Sequence, residues 1–537
     1  MIKKEIEKIL RKITGTLFKK TDFIINIDYP PRKEYGDYST TLPLDLAKVL
    51  KKNPLKIAED IFSLVKKEKL SIFKKIEVIK PGFINFFIRE NYFRKELEKV
   101  LEEKENFGKI NIGKGKNTNV EFISANPTGS LHIGNGRGAF FGDVLSSLLS
   151  FAGYEIDREY YINDSKRSSQ IKELGKTLLG SGVSYKTPRL EKLIKDIIDK
   201  KDTKKLNESE AGYLLAREVL KDIKTFVEKK LKINFDTWFS EDSLFKKSKI
   251  QKILDILDKK RLTYKKDGAI WLKTSEFGDG KDEVLIRKNG EPTYFLSDIA
   301  YHQDKINRGY KKIIDIWGAD HQGHIKRMEA VMKILGYKGE FEVLISQIVR
   351  LKSGEKLSKR KGNIIELGDL VNEVGLDVTR YFYLSKSLSS QMEFDLDLAK
   401  EQSKKNPVFY IQYAYVRIEN ILRNSKQKTS TFAGASADKQ NSKVDLNLLT
   451  HPSELNLIRE LIKLPELIGE ISKNYQLHKL TEYAKNLASL FHQFYRDCRV
   501  LDLDKETCKS RLSLVSATKT ALKILFSILG ISAPKRM

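Results

Sequence analysis

Two cysteines in 537 residues, Cys498 and Cys508, exclude a disulfide framework, and their ten-residue separation matches no metal-binding pattern. They read as buried or incidental thiols. Acidic residues are also short of the basic ones, 72 against 99, and the resulting charge of +27 favours a polyanionic partner, either nucleic acid or an anionic membrane. The plainer alternative is the solvated surface of a lysine-rich chain. No apolar run reaches the ~18 residues of a membrane span, and "MIKKEIEKILRKI" lacks the apolar core of a signal peptide. A soluble, cytoplasmic protein of two to four domains is the expectation at this length.

What is present falls into three compositional zones. Residues 1–110 place helical patterns around a strand-like "KKIEVIKPGFINFFI", which predicts a small α+β module. Residues 111–385 alternate short apolar strands with helices. There "NVEFIS", a glycine-rich turn and a helix from about Arg137 read as the first unit of an open parallel sheet, and "KIIDIW" before "GADHQGH" reads as a second. Between them, roughly residues 165–285 look like an insertion, mainly helical and charged. Residues 386–537 are patterned as helices throughout, interrupted by a polar stretch at 424–445 that predicts a mobile loop.

The turn "NPTGSLHIGNGRG" (126–138) gathers Gly129, Gly134, Gly136 and Gly138 ahead of a helix N-terminus, a combination that lets backbone amides approach a phosphate. It is not a Walker loop, because Asn135 stands where that motif needs lysine, and its spacing is not G-x-G-x-x-G. His132 and Asn135, three apart on one turn, can both donate to phosphate oxygens. A glycine-rich turn with a structural histidine is the competing account. The second cluster is "SGEKLSKRKGN" (353–363), with Lys356 and Lys359 around Ser358; a solvated run of cations is its usual explanation.

Together "HIGN" and "KLSKR" resemble the two signatures of class I aminoacyl-tRNA synthetases, and "VEFISANPTGSLHIGNGRGAFFGDVLSSLLSFAGYEIDREYYIND" resembles the arginyl-tRNA synthetase family in particular. The likeness continues in "GDYSTTLPLDLAK", "KPGFINF", "NPVFYIQYAYVRI" and "LGISAPKRM". It departs at Asn135, where the family usually carries a second histidine.

The resemblance implies a Rossmann-like catalytic domain split by an insertion, an N-terminal module that touches tRNA, and an all-α anticodon-binding domain. It implies that arginine is activated by ATP, with Mg²⁺ accompanying the nucleotide, and then passed to tRNA(Arg). His132, Asn135, Lys356 and Lys359 would stabilise the reacting phosphates. Pro127, Gly129, Gly134, Gly318, Asp320, His324 and Ser358 would join them in holding ATP. Asp320 also suits ribose hydroxyls on its own chemistry, just past a strand end; a metal site of Asp320, His321 and His324 is the rival reading. A guanidinium stays charged and needs carboxylates and planar acceptors, work the resemblance gives to Glu121, Ser124, Asn126, Tyr294, Asp298 and Gln322. It places tRNA contacts at Tyr38, Tyr410, Tyr413, Arg417 and Met537, aromatics with arginine being suited to stacking unpaired bases. A monomer, another class I synthetase and a non-catalytic RNA-binding relative complete the range of expectations.

Overall fold

The computed structural model describes residues 2–18, 23–68, 70–352, 365–432 and 444–537. The N-terminal part is the α+β module expected. Phe83–Ile88 runs antiparallel between Tyr38–Thr40 and Phe73–Ile79, and the helices Ile2–Phe18, Leu42–Leu50 and Pro54–Lys67 accompany this sheet. Ile2, Ile6, Leu10 and Ile13 recur at three- and four-residue steps and are buried, the stripe that fixes the first helix against its neighbours.

The central domain is built on five parallel strands. In chain order its elements are β1 (Asn117–Glu121), α1 (Ile133–Phe151), β2 (Glu155–Ile162), β3 (Thr237–Ser240), α2 (Tyr294–Asn307), β4 (Lys312–Gly318), α3 (Ile325–Leu335) and β5 (Glu340–Ser346). The spatial order is β5-β4-β1-β2-β3. β4 is buried along most of its length, as strands of a parallel sheet covered on both faces are. The chain order reverses between β1 and β4, so the crevice at their carboxyl ends is where this topology receives a ligand.

The expected insertion at 165–285 is not purely an insertion. Thr237–Ser240 within it pairs with β2 as the edge of the main sheet, and Thr263–Lys266, Ala269–Leu272 and Glu283–Ile286 form a separate antiparallel sheet. Strands of four residues in charged surroundings carry too little periodicity to be read beforehand.

After the sheet come α4 (Leu376–Leu384), α5 (Pro407–Phe432), α6 (His478–Asp497) and α7 (Lys505–Leu529). The polar stretch expected as a loop from 424 begins as helix, because α5 continues to Phe432; residues 433–443 lie outside the described set. α7 is long and apolar enough to cross a membrane by composition, yet Leu514, Val515, Leu522, Leu525 and Phe526 are buried in the helical domain. One hydrophobic core extends from Ile2 to Ile531, so all three parts pack on one another.

Candidate active site

β1 ends at Glu121, and the chain then turns through Ile123 (φ 67°) and Ser124 (φ 39°), two non-glycine residues in a backbone region that must be held in place by its surroundings. The restraints are visible. Ser124 Oγ donates to Glu121 Oε1 at 3.0 Å and accepts from the Tyr161 amide at 3.1 Å, while Tyr160 donates its hydroxyl to the Ala125 carbonyl at 2.9 Å. Beyond this kink Asn126 is exposed, Pro127 is buried, and α1 begins.

His132 is the N-cap of α1. Its Nδ1 accepts from the Gly134 amide at 3.1 Å, and Asn135 Oδ1 accepts from the His132 amide at 2.9 Å, a reciprocal capping box. Burial holds the imidazole below its ordinary pKa, so with Nδ1 accepting, the proton resides on Nε2. The two side chains therefore each spend one atom on the helix end and keep a donor, Nε2 or Nδ2, for a ligand. The glycines serve differently from the expectation that all four admit a phosphate. A Cβ at Gly134 would lie 2.8 Å from the His132 ring, and one at Gly136 2.9 Å from Leu367, so these two make room for side chains. Gly129 has open space in front of it.

The segment following the lysine-rich cluster is fastened to this turn. Ile133 donates to the Ile365 carbonyl at 3.0 Å and Leu367 to that of Leu131 at 2.8 Å, with His132 opposite Glu366 in an antiparallel bridge. On the other side Val349–Leu351 pairs with Met392–Phe394. Lys356, Ser358 and Lys359 themselves lie outside the described residues. Tyr383 of α4 donates to the Ile133 carbonyl at 2.7 Å, and the buried Arg137 donates to the carbonyls of Tyr383, at 3.4 Å, and Ser390, at 3.1 Å. No sequence signal singled out this brace.

Across the crevice, Gly318 ends β4 and a short helical turn, Ala319–His324, carries Asp320, Gln322 and His324 at the surface. A Cβ at Gly318 would meet Asp320 Oδ1 at 2.5 Å, so the glycine permits the aspartate's orientation. Asp320 pairs with His321 at 3.3 Å. Among the described residues no group of three His, Cys, Asp or Glu is arranged to hold a metal ion, and the rival reading of Asp320, His321 and His324 gains nothing from the geometry.

Beneath the crevice, strand register sets Glu159, Glu121 and Asp315 side by side on three neighbouring strands. Lys305 of α2, fully buried, lies 2.7 Å from both Glu121 Oε2 and Asp315 Oδ1. Tyr301 donates to Glu121 and Glu159 at 2.9 Å each, and Arg308 pairs with Glu159 at 2.8 Å. Burial pulls the Lys305 ammonium down, but Asp315 and Glu121 raise it above its ordinary range. Glu121, expected to receive arginine, thus has its carboxylate bound to Lys305, Tyr301 and Ser124 from within the protein.

A second acidic group sits nearby without such partners. Asp164 and Glu241 follow the ends of β2 and β3, and Asp298 projects from α2 one turn after Tyr294. Glu241 is pushed up to about 7 by burial and by Asp298; Asp298 is pushed up to about 7 by burial, with Glu121 and Asp315 adding to it against His302. Burial also raises Asp164, against hydrogen bonds from the Asp242 amide and Ser240. Among the described residues none of these three carboxylates has a cation within 4 Å. Tyr294 is half exposed, and its hydroxyl meets Ser168 and Ser169 at 3.1 to 3.3 Å. Asp164 and Glu241 were missed in the sequence. The available signal was an acid immediately beyond a strand of a parallel sheet.

The residues expected to meet tRNA separate into two groups. Tyr38 is buried, its ring 5.2 Å from that of Tyr29, and its side chain is not presented to a partner; it sits in a strand whose inward face is core. Tyr410 and Tyr413 instead pack beside His492, and the Arg417 guanidinium lies over Tyr413 and Tyr495 at 4.7 and 4.8 Å. Met537, about half exposed, borders a cavity of about 550 Å³ with Arg423, Asn420, Val416, Asn424 and Arg536.

Comparison with known proteins assigns the class first. A family model described as "tRNA synthetases class I (R), catalytic domain" matches residues 185–387, the "DALR anticodon binding domain" matches 411–537, and the "Arginyl tRNA synthetase N terminal domain" matches 1–88. The fold and the matched modules are those of a class I aminoacyl-tRNA synthetase. The arginine–tRNA ligase of Oceanobacillus iheyensis is 40% identical, over 96% of this chain and 94% of its own length, and that of Bacillus subtilis is 40% identical over 95% and 94%. The solved structure of Thermus thermophilus arginyl-tRNA synthetase superposes with a TM-score of 0.80, covering all of both chains at 20% identity. The chain belongs to the arginyl-tRNA synthetase family.

Proposed function

We infer that the crevice between the carboxyl ends of β1 and β4 is where this arginine–tRNA ligase joins the carboxylate of L-arginine to the α-phosphate of ATP, releases pyrophosphate, and passes the arginyl group to a ribose hydroxyl of tRNA(Arg) for protein synthesis. The observation that carries this reading is the antiparallel fastening of Leu131–Ile133 to Ile365–Leu367, the first described residues after the lysine-rich cluster in the chain.

In this reading the protein supplies position and charge, not a nucleophile. His132 Nε2 and Asn135 Nδ2 donate to the phosphates, with Pro127, Gly129 and Gly134 shaping the seat and Lys356, Ser358 and Lys359 closing on the pyrophosphate. Gly318, Asp320 and His324 line the adenosine. Tyr294 and Asp298, joined by Glu241, form the guanidinium pocket; Ser124, Asn126 and Gln322 face the amino-acid end, and Glu121 acts through Lys305 and the strand kink. Mg²⁺ would travel with ATP. Tyr410, Tyr413, Arg417 and Met537 receive the tRNA. The same reading keeps the division 1–110, 111–385 and 386–537, with Thr237–Ser240 counted to the sheet, and a monomer acting in the cytoplasm away from membranes.

Lys359→Ala tests it directly. ATP–pyrophosphate exchange measured with tRNA present should fall by about 10²- to 10³-fold, the effect of removing one charge-stabilising donor. An unchanged rate would refute the assignment of the lysine cluster.

A further inference from the structure

The helical domain contributes one wall of the cavity beside Met537, and a short tail contributes the other. On α5, Val416, Asn420, Arg423 and Asn424 follow Gln412 at intervals of four, eight and eleven or twelve residues, so all five share a face. On the tail, Arg536 and Met537 close the space. These walls belong to segments more than a hundred residues apart. Their spacing must therefore be set by whatever grips both.

The grip comes from α4, an element of neither wall. Asp377 Oδ1 accepts from the Ser532 amide at 3.1 Å, Asp377 Oδ2 accepts from the Ser532 hydroxyl, and the same Oδ2 accepts from Gln412 Nε2 at 2.9 Å. Gln412 Nε2 also reaches the Ser532 carbonyl at 3.1 Å. One turn further along α4, Arg380 donates to the carbonyl of Leu231 at 2.8 Å and meets Asp143 of α1 at 2.7 Å. Its guanidinium occupies the space a Cβ would need at Gly530, 2.4 Å away, where the chain leaves α7 with φ 66°. Arg380 thus fixes where the last helix stops, and Asp377 fixes the direction taken afterwards. The two are three residues apart on α4 and lie on one face.

We propose that Asp377 is a positioning residue for tRNA: a single carboxylate that sets the separation of Gln412 and Ser532, and through them the width of a basic cleft built to take an unpaired nucleotide. Among the described residues the cleft's lining side chains include two guanidiniums and two amides and no side-chain carboxylate, a set of donors that suits a phosphate and the edge of a base. Asp377 touches no nucleotide itself. This inference rests on the reading that the Met537 region receives tRNA, and the two can fail separately.

The test uses the full-length chain and an arginine-accepting tRNA transcript, with tRNA affinity measured by fluorescence titration and KM for arginine measured in the charging assay. Asp377→Asn keeps the shape but removes the charge and turns one accepting oxygen into a donor, so at least one of the three hydrogen bonds is lost. It should weaken tRNA binding about tenfold, as expected for hydrogen bonds to an ionised group, and leave the KM for arginine and the melting temperature near wild type. Asp377→Glu should recover part of the loss, and Gln412→Ala should reproduce it in a chain whose carboxylate is intact. Arg536→Ala is the control for the cleft. If Arg536→Ala weakens tRNA binding while Asp377→Asn and Gln412→Ala do not, the clamp is refuted and the cleft survives. Should Arg536→Ala bind tRNA as tightly as wild type, the cleft reading falls and the clamp loses its purpose. A parallel loss of arginine and tRNA affinity in Asp377→Asn would mean general damage and would also overturn the proposal.

Discussion

Two acidic triads lie at the same end of the molecule, and they are treated in opposite ways. Glu121, Glu159 and Asp315 are in register across β1, β2 and β4, and Lys305 of α2 and Arg308 at its end pair with them. Among the described residues Asp164, Glu241 and Asp298 have no such cations, and two of them are pushed up to about 7. A folded protein seldom leaves a group of buried carboxylates without a cation. One group shares two cations and its neighbour, among the described residues, has none within 4 Å, which is the contrast behind proposing the second group for a guanidinium that never deprotonates.

The comparison can be broken most severely on the compensated side. Lys305→Ala should leave Glu121 and Asp315 buried without the ammonium they share, costing about 3 to 5 kcal/mol of stability; a denaturant titration showing less than about 1 kcal/mol would mean that the pairing is not what holds this row. On the uncompensated side, Asp298→Asn and Glu241→Gln should each reduce kcat/KM for arginine by about 10- to 150-fold, the range for hydrogen bonds to a charged group, with KM for ATP little changed. Equal losses for both substrates would remove the pocket from these residues. The smallest effect is on pH. A bound guanidinium favours ionised carboxylates, so as pH falls through about 7 the two acids take up protons and arginine affinity should decline, by up to about tenfold per pH unit for each proton. A KM for arginine that stays flat from pH 8 to 6 would contradict raised carboxylates in the free enzyme.

Much of this was readable before folding, though unevenly. The three-part division, the parallel sheet and the histidine at the mouth of α1 follow from local pattern, because periodicity and a glycine-rich turn act within a few residues. Asn135 was legible as a donor but not as half of a capping box, since that needs the geometry of the turn. That Gly134 and Gly136 also make room for side chains was hidden for the same reason: what a Cβ would strike is a fact about neighbours such as Leu367, more than two hundred residues away. Glu241 escaped notice because β3 is four residues long within a charged stretch. The Lys305 row escaped because register between strands is a tertiary property, invisible in any one of them. Tyr38 was expected as a tRNA contact on resemblance alone, and its position in an inward-facing strand makes it core.

The raised pair in the pocket has a bearing on how the enzyme would respond to selection. A carboxyl whose folded pKa lies above its unfolded value favours the native state below the unfolded pKa, and that contribution is lost as pH rises through the folded value, here about 7. Under mildly alkaline conditions Glu241 and Asp298 are therefore a load on the fold, and replacing either by its amide lightens it. A library screened for heat resistance alone would enrich such replacements and drift toward hardy proteins that no longer recognise arginine, unless charging is scored in the same round.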